Sequence, residues 1–387
     1  MTTCVIGDIN LVRALGRAGL SVTVVTDSDT NPAKYSRYCN ETLRVPGWLE
    51  APDDAIDVLI DWGRRQAEAP VLYYQGDHDL LAVSRHRERL APHFRFVLPP
   101  AELVETLTDK LRFASLAARL DLPTPPTLTL RAGEDAVARV DRWRHFPCIF
   151  KPSMRGAWFE RIGSFQKALR FDDRAALTSY LADTGLPAGD ALLQACVRGG
   201  ENRIYSYHAY VRPGGEIVGE FIGRKIRTSP REYGLSSFVE IIDDERVRTL
   251  GREIMARIGY AGVLKMDFKL DDHDDRLYLL EINPRFNLWH YPAAVAGVDI
   301  PRAVYDDCRQ PGSARRQLQA RPGIRWISPL LDLKAFSAHR QADGLTLWRW
   351  AGDVWTADSS ESLTRDDPMP ALRHLAIRLR RRLRGTP

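Results

Sequence analysis

The stretch KMDFKLDDHDDRLYLLEINPRF, residues 265–286, holds the side chains with most chemistry to offer. Glu281 and Asn283 stand two residues apart, so on a strand they share one face. The polar run DDHDD before them is a turn signal, and it puts Asp267 on the neighbouring strand of a hairpin, opposite Glu281. Two carboxylates and an amide oxygen then converge. Such a hard, all-oxygen partial shell suits Mg²⁺ or Mn²⁺, with phosphate oxygens and water completing it. Arg285 follows on the same face, where a guanidinium can grip a planar carboxylate or a phosphoryl group with two hydrogen bonds.

The competing reading is a surface hairpin whose acids are solvated and paired with Arg285. Asp271, Asp272, Asp274 and Asp275 are turn residues of that kind. Glu281 differs from them. It follows Tyr-Leu-Leu and precedes Ile, and an ionised acid buried in an apolar strand needs a partner or a metal.

The segment resembles the metal-binding strand pair of the ATP-grasp enzymes, in which an acid precedes an E-x-N-P-R element by a dozen or so residues. It is also similar to biotin carboxylase and to the large chain of carbamoyl-phosphate synthase. The carboxylase element runs on to a His, matched here by His290, but Trp289 stands where that enzyme has Glu, which argues against bicarbonate chemistry. The resemblance spans roughly residues 1–310. It implies that Lys110 in LTDKLRFASLAARLDLPTPPT and Lys151 in FPCIFKP bind phosphate, and that Lys167 belongs to the K-A pair beyond the lid. It implies an adenine-binding hinge in LLQACVRGGE, with Gln194 at the nucleotide and Glu201 on the ribose. GRKIRTSPREYG is similar to the basic segment of D-aspartate-ligase-like members, with Arg224 and Lys225 facing phosphates or substrate. The lid departs from the pattern. SMRGAWFERIGS has two glycines where family members are glycine-rich, so either Arg155 or Arg161 replaces backbone N–H groups, or the lid closes on an unusual acceptor.

The activity implied is a ligase reaction. ATP and Mg²⁺ activate a carboxylate as an acyl phosphate, an amine attacks it, and ADP and phosphate leave, with Arg285, Lys225 and Arg224 as the catalytic side chains. The resemblance also implies a tendency to form homodimers. The rivals are an ATP-grasp carboxylase or kinase-like enzyme with a non-amine acceptor, and a nucleotide-binding regulatory protein without turnover. A dinucleotide site would rest on Gly7-Asp8 alone, without a full GxGxxG. His78 in QGDHDLL is a candidate for the substrate pocket at a sheet edge.

These residues need elements to hold them. TCVIGD, SVTVVTD, VLYYQGD and FRFVLPP read as strands, with a helix in INLVRALGRAGL that ends at Gly19, which predicts a parallel, Rossmann-like α/β sheet over residues 1–100. One long helical pattern, AELVETLTDKLRFASLAARL, opens a two-lobed ATP-grasp domain over 101–310, with a lid lobe at about 125–192 and a second lobe at about 193–310. The prolines of LPTPPT end that helix. Strand patterns in RIYSYHAYV, GEIVGEFIGRKI, VLKMDFKL and RLYLLEIN, joined partly by RPGGE and DDHDD, predict antiparallel α+β structure. Beyond a polar linker at 310–322, a C-terminal extension reads as a strand in GIRWIS, a helix near 330–338, a strand pair near 345–357 and a last helix from about residue 370.

The net charge of +5 is a property of one segment. Residues 371–387 hold six arginines and no acid, and without them the remainder carries −1, so the body has no polyanion-binding signature and nucleic acid is not an expected partner. Leucines at 372, 375, 379 and 383 form a helical stripe there. The favoured reading docks that stripe on the body with arginines outward; attachment to an anionic membrane surface or partner is the alternative. Five widely spaced cysteines and no CxxC argue against a disulfide scaffold or a zinc site. The start lacks a signal-peptide pattern and no apolar run is long enough to cross a bilayer, so the cytosol is the expected compartment.

Overall fold

The computed structural model describes residues 2–152, 168–184, 190–362, 364, 366–373, 375 and 376. Lys167, the lid loop at 153–164 with Arg155 and Arg161, and residues 377–387 lie outside the described residues.

The N-terminal unit is a parallel sheet. Strands β1 (Thr2–Ile6), β2 (Ser21–Thr26), β3 (Cys39–Arg44) and β4 (Val71–Tyr74) lie in the order β3-β2-β1-β4. The helix Ile9–Arg17 starts at Asp8, whose carboxylate accepts the Asn10 and Leu11 amides, and the chain turns out of it through Gly19 at φ +79°. β3 escaped the sequence reading because it is a mostly exposed, polar edge strand, CNETLR, with no apolar alternation to betray it. FRFVLPP is not a strand; it contributes one bridge, Val71 to Arg95.

The long helical pattern after residue 100 is two helices, Ala101–Thr108 and Lys110–Arg119. Asp109 breaks it. Its backbone is extended, at φ −93° and ψ 121°, and its carboxylate caps the second helix through the Leu111 and Arg112 amides, at 2.8 and 2.9 Å. Lys110 therefore begins a helix instead of lying in the middle of one.

The lid lobe carries β5 (Thr127–Leu130), β6 (Cys148–Pro152), β7 (Leu169–Phe171) and β8 (Ala191–Ala195), in the antiparallel order β5-β8-β6-β7. The helix Arg174–Thr184 covers it, and Phe150, Leu177, Leu181 and Leu193 fill its core.

The central sheet has seven strands: β9 (Ile204–Val211), β10 (Ile217–Ser229), β11 (Leu235–Ile242), β12 (Gly262–Leu270), β13 (Leu277–Asn283), β14 (Arg325–Ile327) and β15 (Ser359–Ser360), in the order β13-β12-β9-β10-β11-β14-β15. β9 and β10 join through Gly214 and Gly215, both at positive φ, as RPGGE requires. The helix Glu245–Ile258, closed by Gly259 at φ +63°, packs on one face. The extension is part of this sheet, since β14 pairs with β11 and β15 with β14. The strand pair expected near 345–357 is instead a helix, Leu347–Thr356, whose Thr346 hydroxyl accepts the Arg349 amide. Its alternating tryptophans suggest a strand, but the threonine cap favours the helix.

Candidate active site

A cleft of about 1510 Å³ opens between the lid sheet and the central sheet. Helix Lys110–Arg119 brings Lys110 to it, β6 brings Lys151, β8 Gln194, β10 Lys225, β12 Asp267 and Lys269, and β13 Glu281 and Asn283. Glu201, in a short 3₁₀ turn Glu201–Arg203, lines it as well, and so do Asp77 and His78 from the N-terminal unit.

The hairpin register sets Asp267 directly opposite Glu281. A bulge supplies what strict alternation does not. Asp267 pairs with Glu281 but Phe268 pairs with Leu279, so Leu280 is the extra residue. It lets Leu279 and Ile282 enter the core while Leu280, Glu281 and Asn283 line the cleft. Glu281 is accordingly exposed to the cleft and not buried in an apolar strand, which corrects the sequence argument for it. The Asn283 amide donates to Glu281 Oε1 at 3.0 Å, while its carbonyl oxygen accepts from Arg285 at 3.3 Å.

Asp267 is buried in a cage of donors. Lys265 Nζ lies 2.7 Å from its Oδ2, Lys225 Nζ lies 3.8 Å from the same oxygen, and the Ser206 hydroxyl donates to Oδ1. Burial alone would raise the carboxyl; the two ammonium groups and the hydrogen bonds from Lys265 and Ser206 outweigh it and hold Asp267 well below the usual carboxylate range. Lys265 and Ser206 were not singled out in the sequence. Lys265 has a signal of a kind, two residues before Asp267 on the same strand face, whereas Ser206 comes from β9, and only the register Asp267 to Ser206 reveals it.

Lys151 Nζ donates to Gln194 Oε1 at 2.8 Å, and Gln194 in turn donates to Thr127 at 3.1 Å. Burial lowers the Lys151 pKa, with Glu281 across the cleft opposing the shift. Glu201 is pushed the other way by burial, against the pull of Lys225 and Lys269. Lys269, also unmarked in the sequence, adds positive charge to the cleft floor beside Glu201.

Arg224 and Arg285 do not stand where the sequence reading put them. Arg224 pairs with Glu240 at 2.9 Å on the neighbouring strand and is not among the cleft-lining residues, because neighbours on a strand face opposite ways and Lys225 takes the cleft side. Arg285 Nε binds Asp77 at 2.5 Å, and its Nη2 donates to Asn283 Oδ1 at 3.3 Å, so it ties β13 to the helix Asp77–Arg85 and steadies Asn283. His290 is fully buried in the core beside His208, with ring centroids 6.0 Å apart, and burial pushes its pKa down to about 3. Trp289 is buried too, against Gly223, where a Cβ would approach it to 2.1 Å. Neither residue reaches the cleft.

No family model matches the chain. A D-aspartate ligase of Enterococcus faecium is 22% identical over 288 residues, covering 71% of this chain and 68% of that one. Among solved structures, N5-carboxyaminoimidazole synthetase from Staphylococcus aureus superposes with a TM-score of 0.62 at 12% identity, covering 89% of this chain and 85% of its own. L-amino acid ligase from Bacillus licheniformis gives 0.59 at 16%, with 81% and 77% covered, and biotin carboxylase from Campylobacter jejuni 0.59 at 17%, with 81% and 73%. The parallel sheet, the small lid sheet and the central sheet around one cleft define the ATP-grasp fold. Within that fold, the relatives belong to the carboxylate–amine ligase group.

Proposed function

We propose that the chain is an ATP-dependent ligase that activates a carboxylate as an acyl phosphate and couples it to an amine. The observation that carries this reading is the meeting, in one cleft, of Lys151 from the lid sheet with Lys225, Asp267, Glu281 and Asn283 from the central sheet.

The donor set fits Mg²⁺ or Mn²⁺. Glu281 and Asp267 supply carboxylate oxygens from paired strands and Asn283 an amide oxygen, all hard ligands. Two carboxylates and one amide oxygen are a partial shell, which would leave positions for phosphate oxygens and water. The ion, when bound, supplies charge to offset the phosphates. Lys110 and Lys151 flank the phosphates, and Gln194 keeps the Lys151 ammonium aimed at them. Glu201 accepts from the ribose hydroxyls. Lys225 faces the transferring phosphoryl group, steadied by Asp267, and stabilises the charge spread over its oxygens as the substrate carboxylate attacks phosphorus in line. ADP leaves as the bond to its β-phosphate oxygen breaks; the amine then attacks the acyl carbon, the C–O bond to phosphate breaks, and inorganic phosphate departs with the amine's proton, a sequence that requires water to be kept from the acyl phosphate. Arg285 serves by positioning Asn283. No described helix is long and apolar enough to cross a membrane, and a cytoplasmic setting is part of the proposal.

Amine-dependent ADP release tests this. Glu281→Gln and Lys151→Ala should each lower it by about 100-fold or more, with the thermal midpoint little changed. Near-normal turnover in both variants rejects the assigned roles.

A further inference from the structure

Residues beyond 310 lie outside the ATP-grasp resemblance, yet they reach the cleft. The helix Phe336–Asp343, the turn after it and the helix Leu347–Thr356 contribute His339, Asp343, Leu345 and Arg349 to its wall. Beside them runs the turn at 230–234, which joins β10 to β11 and is closed by the pair Ser229 and Leu235. A circuit of hydrogen bonds ties this turn to the extension. The buried His339 ring donates from Nε2 to the Thr228 carbonyl at 2.9 Å and meets the Asp343 carboxylate through Nδ1 at 2.8 Å. Asp343 also takes Arg231 Nε and Nη2, at 3.1 and 2.8 Å, in a two-pronged pair. The Thr228 hydroxyl closes the circuit by donating to the Arg231 carbonyl at 2.7 Å.

What this circuit holds in place is Tyr233. Its φ is +57°, in the left-handed region that a bulky residue rarely occupies, and such a backbone persists only where its surroundings over-determine it. Tyr233 lines the cleft, as do the apolar Ile149 of β6, Leu192 of β8 and Val197 of the hinge. It stands beside Glu201 and Cys196. Burial raises the carboxyl of the one and the thiol of the other, and Tyr233 is among the groups that oppose each shift, through its backbone amide at Glu201 and its hydroxyl at Cys196. An acceptor for ribose hydroxyls, a hinge strand and a flat aromatic face beside apolar side chains are what a purine nucleoside needs. We propose that Tyr233 is one wall of the base subsite, and that His339, Asp343 and Arg231 are positioning residues that hold it there. The C-terminal extension then takes part in nucleotide binding. This rests on the ligase reading of the cleft and extends it to residues outside the family pattern.

Calorimetric titration of the full chain with MgATP and, separately, with magnesium tripolyphosphate tests the proposal. Tripolyphosphate carries the phosphate charge without the base. Tyr233→Ala should weaken ATP binding about tenfold or more, the worth of a lost base stack, and leave tripolyphosphate affinity within about twofold. Tyr233→Phe keeps the ring and should restore ATP affinity. His339→Ala and Asp343→Asn should each repeat the pattern in smaller measure, about threefold, and raise the KM for ATP while kcat stays within about twofold. Asp343, on the less buried side of the circuit, serves where loss of the buried His339 unfolds the chain. Unchanged ATP affinity in Tyr233→Ala overturns the proposal, as does an equal loss of both ligands or a Tyr233→Phe variant as weak as Tyr233→Ala. Unchanged ATP affinity in Asp343→Asn overturns the positioning role. An unaltered chain that binds tripolyphosphate and ATP equally has no base subsite, whereas one that binds neither overturns the ligase reading itself.

Discussion

Asp79 shows how a single carboxyl can report on the fold. It is buried in the first turn of the helix Asp77–Arg85, accepts the Gln75 and Gly76 amides at 2.8 and 2.9 Å, and is raised to about 6 by burial against those hydrogen bonds. Its folded-state pKa lies above the ordinary value of 3.8, so the folded chain holds a proton that the unfolded chain has released. The stability from this group is full below about pH 4 and is lost as pH rises through about 6. Asp79→Asn should remove that slope, seen as a smaller change in urea midpoint between the two pH values than in the unaltered chain. The cleft residues were legible to very different degrees. Glu281, Asn283 and Asp267 sit in one continuous motif, so hairpin pairing could be read from it, although the bulge at Leu280 that sets the strand's faces could not. Ser206 meets Asp267 from β9 through long-range register and Asp77 reaches the cleft from the N-terminal unit, and no local pattern marks either; Lys269 stands two residues after Asp267 on the same strand and could have been found there. Arg224 was misplaced because two adjacent basic residues look alike in a sequence, while a strand sends them to opposite faces.

At the scale of elements, the break at Asp109 matters most. The sequence AELVETLTDKLRFASLAARL keeps an apolar period throughout, so nothing in its hydrophobicity announces two helices. The division comes from Asp109 preferring to cap, and it turns Lys110 toward the cleft as the first residue of the second helix. Asp109→Ala should cost about 1 kcal/mol of stability. It should also raise the KM for ATP more than it lowers kcat, because Lys110 loses its fixed start; an unchanged KM would separate the cap from the site. Helix Leu347–Thr356 makes the converse point. Its tryptophans alternate as a strand's would, and its identity rests on one hydroxyl cap that pattern counting ignores.

The whole molecule is laced together by pairs far apart in sequence. Arg13, fully buried on the first helix, binds the Asp367 carboxylate and carbonyl and the Ser360 and Glu361 carbonyls, and Arg227 grips Asp332 and Asp353 at 2.8 and 2.7 Å. The cluster that includes Val12, Tyr210, Trp289 and Trp326 runs from the N-terminal helix across the central sheet. Asp367→Asn leaves the Arg13 charge buried and unpaired and should cost about 3 kcal/mol; adding Arg13→Met should return part of it, read from urea denaturation of the two variants side by side. Equal stabilities in the single and double variants would mean that the segment is held by its backbone contacts alone.

The placement of β14 and β15 bears on how this chain can be shortened. The polar stretch after residue 310 invites a cut, yet everything beyond it includes the cover for β11. A chain ended there would show an open row of N–H and C=O groups along β11, with Phe238, Val239 and Ile241 at or behind that rim. Such a fragment would keep Lys110, Lys151, Lys225, Asp267, Glu281 and Asn283 and still tend to stick to copies of itself through a naked sheet border.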